Sequence, residues 1–154
     1  MAGPIVHQTR RNVLRFAALA AAASVITPGL ARADAKAVEA ELKKLYDGKA
    51  MAEGKVKLDV PQIAENGLVV PITIDVESPM TEQNYVKAVH VFADGNPLPG
   101  VVTFRFSPMS GRASASTRMR LAQTQNIVAV AEMSDGSLFT TKAEVKVTIG
   151  GCGG

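Results

Sequence analysis

From Leu68 to Ile149 the chain alternates apolar and polar residues with a period of two, broken at short intervals by turn-forming residues. Side chains on a strand point to opposite faces in turn, so this period commits most of the chain to half-buried β-strands. Leu68, Val70, Ile72, Ile74 and Val76 form one such row, against Val69, Pro71, Thr73, Asp75 and Glu77. Pro71 lacks an N–H, which places this strand at a sheet edge or at a bulge. Val86 to Ala93 is apolar on both faces, as a central strand requires, and Asp94-Gly95-Asn96-Pro97 ends it in a turn. Val101–Phe106, Ala115–Leu121 and Ile127–Met133 continue the pattern, and Ser134-Asp135-Gly136 turns the chain into a last strand, Leu138–Ile149. With a short strand over Lys55–Val60 the reading gives seven strands. That number, at this spacing, predicts an all-β fold: an immunoglobulin-like antiparallel β-sandwich, with a small barrel as the competing architecture.

One helix precedes the strands. Val38, Leu42, Leu45 and Tyr46 fall on a single face between Asp34 and about Ala52, with Glu39 and Lys43 spaced as an i,i+4 pair. The organisation expected is therefore a helix plus sandwich over residues 34–149, preceded by residues 1–33 and followed by 150–154.

Residues 1–33 read as a cleavable export signal. Arg10-Arg11 opens a basic segment, an apolar run of 11 residues follows from Phe16 to Ile26, and Ala31-Arg32-Ala33 supplies the small-x-small pattern, with cleavage expected between Ala33 and Asp34. The run falls short of the ~20 residues that span a bilayer. Paired arginines before a weakly apolar core resemble a twin-arginine signal, which exports folded proteins, so the expected location is the periplasm. Loss of Arg10, Arg11, Arg15 and Arg32 would take the 17 cations to 13, against 14 acids, and the net charge from +3 to −1. With no basic stripe left and aromatics at 5%, nucleic acid is not the expected partner, nor is a membrane.

The single Cys and the two His of the chain exclude multi-cysteine and multi-histidine metal sites, so no metal or other cofactor is expected. His90 reads as a packed or partner-facing ring. Met80, Met109, Met119 and Met133 lack the histidines of a copper site. Ser107, Ser110, Ser114 and Ser116 have no triad context. Arg118 and Arg120 share a strand face and read as solvated, with docking of an acidic partner as the sharper alternative.

The pattern stops at Ile149 and gives way to Gly150-Gly151-Cys152-Gly153-Gly154. Glycines on both sides deprive Cys152 of neighbouring side chains and give the segment the widest backbone freedom available. No adjacent base, cation or helix N-terminus lowers the pKa of the thiol, so Cys152 is ill-suited to catalysis on its own. It is well shaped to enter another protein's narrow site, as a thiol on a flexible arm of Gly150, Gly151, Gly153 and Gly154. A competing reading is a periplasmic structural module that dimerises through a Cys152 disulfide.

Val147-Thr148-Ile149-Gly150-Gly151-Cys152-Gly153-Gly154 resembles the carboxy-terminal signature of the SoxY family, carriers of the bacterial thiosulfate-oxidising system. The layout of signal, helix, sandwich and arm is similar across the chain, although only the tail motif is specific. The resemblance implies that Cys152 is the covalent attachment point for thiosulfate-derived sulfur and that the chain has no catalytic residue of its own. It also implies the partners: SoxZ in a heterodimer, the cytochrome complex SoxAX, the sulfohydrolase SoxB and the sulfane dehydrogenase SoxCD.

Overall fold

The computed structural model describes residues 35–150. Residues 1–34 and 151–154, which include the expected signal, its cleavage site and Cys152, lie outside the described residues.

Helix α1 runs from Ala35 to Tyr46 and nine strands follow: β1 Ala52–Glu53, β2 Val56–Asp59, β3 Ile63–Asn66, β4 Val70–Val76, β5 Val86–Ala93, β6 Gly100–Arg105, β7 Ala113–Met119, β8 Gln125–Met133 and β9 Leu138–Ile149. The larger sheet has the order β1-β9-β8-β5-β6, with β3 also on β9; the smaller is β2-β4-β7. The inner rows of the two sheets, such as Val70, Ile72, Ile74 and Met119 against Val89, Val91, Ile127, Ala129 and Val145, make one core. The all-β sandwich is therefore as expected.

A third layer explains why β5 and β8 are apolar on both faces. Val38 of α1 is buried against Phe92 and Val130 on the outer face of the larger sheet, with Leu42, Tyr46, Met51 and Val128 around them. The helix is shorter than its pattern predicts. Asp47 enters the left-handed region at φ 49 and stops it six residues early or so, and Leu45 is exposed rather than part of the packed stripe. The ion pair on the helix joins Lys44 to Glu41 at 2.6 Å rather than the expected Lys43 to Glu39.

Two further departures concern pairing. β4 is the middle strand of its sheet, not an edge, yet Pro71 is accommodated as an edge residue would be. The β2 ladder ends at Asp59↔Thr73, so at Pro71 only the β7 side of β4 is paired. The missing donor thus costs no ladder bond on the β2 side. The sandwich is also not wholly antiparallel. β1 and β3 pair parallel with the two ends of β9, and the chain crosses to the other sheet between them to form β2. Ala52–Glu53 and Ile63–Asn66 are too short to show a period, and their partner lies about 85 residues downstream.

Among the described residues no helix is long and apolar enough to cross a membrane.

Candidate functional site

The described chain closes at Ile149 and Gly150, the root of the cysteine segment. The end of β9 is held by contacts from two separate parts of the sequence, residues 62–67 and Thr124. The Thr148 hydroxyl donates to the Glu65 carbonyl at 2.9 Å, and the Lys146 N–H to the Gln62 carbonyl at 2.9 Å. The Val147 N–H donates to the Thr124 hydroxyl at 3.0 Å. The last strand carbonyl, that of Ile149, accepts the Gly67 N–H at 2.8 Å, while the Gly67 carbonyl accepts the Leu121 N–H at 2.8 Å. Gly67 thereby ties the root to the loop after β7.

That loop is itself braced from within. The Asn96 side chain accepts the Ala122 N–H at 3.0 Å and donates to the Arg120 carbonyl at 2.9 Å. Gln125 is only 4% exposed, the one buried polar side chain among the described residues. Its amide nitrogen donates to Asn96 Oδ1 at 3.0 Å and to the Gln123 carbonyl at 3.1 Å, and its oxygen accepts the Gly95 N–H at 2.7 Å. A buried amide with its hydrogen bonds made fixes its surroundings, because leaving any of them unmade is costly.

Gly150 rests on this braced wall. A Cβ built on it would lie far inside van der Waals contact of the Ala122 carbonyl oxygen and 3.3 Å from the carbonyl carbon. The obstruction is backbone and not a side-chain tip, so it has no easy escape. The residue expected to be the first link of the arm thus also lies against backbone, where any side chain would collide with the Ala122 carbonyl.

The other residues singled out in the sequence are placed elsewhere. His90 sits under α1, with Nδ1 3.0 Å from the Thr103 hydroxyl, edge-on to Tyr46 and stacked on Phe92. Burial lowers its pKa, and it is a packed ring, as expected. The Tyr46 hydroxyl is buried without a hydrogen-bond partner, and burial, aided by Glu132, pushes its pKa to about 12. Met80, Met119 and Met133 are core residues, whereas Met109 is fully in solvent. Ser107 and Ser110 cap a 3₁₀ turn at Pro108–Ser110, and the Ser116 hydroxyl pairs with that of Thr73 at 2.9 Å. Arg118 and Arg120 are exposed. No group of three or more His, Cys, Asp or Glu that could hold a metal occurs among the described residues.

The family described as sulfur oxidation protein SoxY matches residues 42–152, a span that takes in the sandwich, its packed root and Cys152. The chain belongs to the SoxY family. The sulfur carrier protein SoxY from Chlorobium limicola f thiosulfatophilum, whose structure is solved, is 30% identical, with a TM-score of 0.63 over 75% of this chain and all of that one. A superoxide reductase (neelaredoxin) from Ignicoccus hospitalis, at 14% identity, gives a TM-score of 0.55 over 68% of this chain and 91% of its own. That second likeness is one of fold alone. No curated protein matches the sequence. Sequence reasoning did not find Gly67, Asn96, Ala122 or Gln125, the residues that build the SoxY root here. Asn96 was legible as a turn residue, but nothing in the local pattern shows that its amide reaches across to residues 120–125.

Proposed function

We propose that the chain is a carrier of sulfur intermediates, with Cys152 as the covalent attachment point and the chemistry supplied by partner enzymes. The observation that carries this reading is the family match, which extends through the Gly-Gly-Cys segment to residue 152. The solved SoxY relative, itself a sulfur carrier protein, supports it.

In the proposed cycle, an oxidising cytochrome complex of the SoxAX kind joins thiosulfate to the Cys152 sulfur. The thiol loses its proton, two electrons pass to the cytochrome, and a cysteine S-thiosulfonate results. Water then attacks the terminal sulfonate sulfur in a SoxB-like hydrolase; sulfate leaves and the persulfide stays on Cys152. A SoxCD-like dehydrogenase then oxidises the outer sulfur with oxygen from three waters, passing six electrons to an electron acceptor, and a second hydrolysis of the resulting S-sulfonate releases sulfate and restores the thiol. Throughout, the intermediate stays tethered, which keeps a reactive anion from diffusing away and raises its effective concentration at each docked enzyme. The glycines beside Cys152 present no side chain to a narrow channel. A SoxZ-type partner completes the carrier, and twin-arginine export to the periplasm is the proposed route.

Mass spectrometry of the tail peptide, after incubation with thiosulfate and the cytochrome complex, tests this. The expected result is an S-thiosulfonate adduct on Cys152, absent in Cys152→Ser, with fold and partner binding retained. Unmodified thiol together with Cys152–Cys152 dimers as the sole products would instead favour the disulfide-linked module.

A further inference from the structure

Seven large apolar side chains stand exposed among the described residues, and four of them, Leu68, Val69, Leu98 and Ile149, belong to the end of the sandwich from which the cysteine segment leaves. Leu68 and Val69 directly follow Gly67, whose N–H holds the Ile149 carbonyl. Leu98 lies two residues past Asn96, whose side chain holds Ala122 against Gly150. It is 76% exposed, and Ile149 is 68% exposed. Leu68 and Ile149 extend the inner rows of β4 and β9 beyond the point where the core covers them. Exposed apolar residues scattered singly need no explanation, but several at one end of the sandwich do.

We infer that these side chains form a docking collar for the rim of the site in which a partner enzyme loads Cys152, an apolar rim around a recessed pocket. The inference rests on the carrier reading above. Its geometric basis is the short length of chain between Gly150 and Cys152. Gly150 lies against the Ala122 carbonyl, and from there two residues carry the chain to the sulfur, a reach of ~7 Å at full extension. An enzyme that takes the sulfur into a recess must bring its own surface onto whatever surrounds Gly150, and there these four exposed apolar side chains stand among exposed polar ones such as Asn66, Thr124 and Thr148. Four side chains bury far less than the ~1,200 Å² of a standard stable interface, so the contact is short-lived, as successive visits to several enzymes require.

The test is steady-state loading of the full-length carrier by the purified thiosulfate-oxidising cytochrome complex. It compares wild type with Leu68→Ser/Leu98→Ser/Ile149→Ser, and with Leu98→Ser alone, a loop change that leaves the strands untouched. The expected result is a KM raised roughly tenfold in the triple variant and less in the single one, with kcat unchanged. The rate of Cys152 alkylation by iodoacetamide should stay the same in all three. An unchanged KM overturns the collar while leaving the carrier reading intact, and so does a KM rise matched by slower alkylation. Collar-dependent self-association in the ultracentrifuge, or loss of the SoxZ-type partner from the triple variant, would reassign the surface and overturn it too. Wild type that the enzyme never loads would bring down the carrier reading itself.

Discussion

The two ends of β9 each carry a glycine, and the two glycines are there for different reasons. At the start, Gly136 occupies the left-handed region at φ 80, where a side chain is strained whatever the space around it. Its turn is closed by near neighbours: Met133 N–H to the Ser137 carbonyl, Gly136 N–H to the Met133 carbonyl, and both the N–H and the hydroxyl of Ser137 to Asp135 Oδ1. Those last two bonds hold the Asp135 carboxyl below its usual pKa. At the far end, Gly150 needs room and not an unusual dihedral, because the Ala122 carbonyl stands where its Cβ would be. One strand therefore begins at a turn closed mainly by bonds within residues 133–137, with Lys49 and residues 83–85 bonding to it from outside, and ends on a wall assembled from residues 62–67, 94–96 and 121–125. A run of glycines around a cysteine invites a single explanation, freedom of motion, and for the first of them the space beside the Ala122 carbonyl supplies a second.

Alanine substitution separates the two. Gly150→Ala should misdirect the cysteine segment by pushing it off the Ala122 carbonyl, and a displacement of about 1 Å at a reacting group costs up to ~100-fold in rate. Enzymatic loading of Cys152 is therefore expected to fall at least tenfold while iodoacetamide still alkylates the thiol at the wild-type rate. Gly151→Ala should lose far less. Equal losses at 150 and 151 would mean that the packing seen at Gly150 has no bearing on transfer, and the contrast between the two ends of β9 would reduce to one of stability.

Gly136→Ala is the complementary measurement. Forcing alanine into the left-handed region costs about 1–2 kcal/mol, which thermal unfolding would register as a drop of several degrees in Tm. Lys49, whose ammonium donates to the Gly136 carbonyl at 2.5 Å, would also be crowded, with Nζ only 3.2 Å from the new Cβ. Loading at a temperature where the variant remains folded should be unchanged. A loading defect there would show that the start of β9 also sets the direction of its end.

The same contrast accounts for what the sequence reveals. Local chemistry is legible: Ser134-Asp135-Gly136 reads as a turn, the β4 and β5 rows read as strands, and the family signature reads directly from residues 147–154. Long-range chemistry is not. The parallel pairing of β1 and β3 with β9 leaves no period in two- and four-residue strands. The Asn96–Gln125 network that braces Ala122 depends on two loops meeting in space. Pro71 shows an intermediate case, since its lack of a donor was readable but the register that excuses it was not.

The smallest expected effect lies away from both ends of β9 and serves as their common control. His90 packs under α1 between Tyr46 and Phe92, and burial lowers its pKa, with Arg105 adding to the shift and Glu132 opposing it. A histidine whose folded pKa lies below its unfolded value near 6.5 favours folding when neutral. Its contribution is complete above about pH 6.5 and is lost as the pH falls from there through the folded pKa, because the unfolded chain takes up the proton first. Urea midpoints should accordingly decline on acidification below about pH 6.5, and His90→Gln should flatten that part of the profile. Since the ring supports the helix on the outer sheet face and neither end of β9, the acid loss of stability should leave the Gly150→Ala to wild-type loading ratio unchanged wherever both remain folded. A ratio that moved towards one as the pH fell would mean that the wall behind Gly150 yields together with the helix, and that the root of the cysteine segment is not the independently braced unit its hydrogen bonds describe.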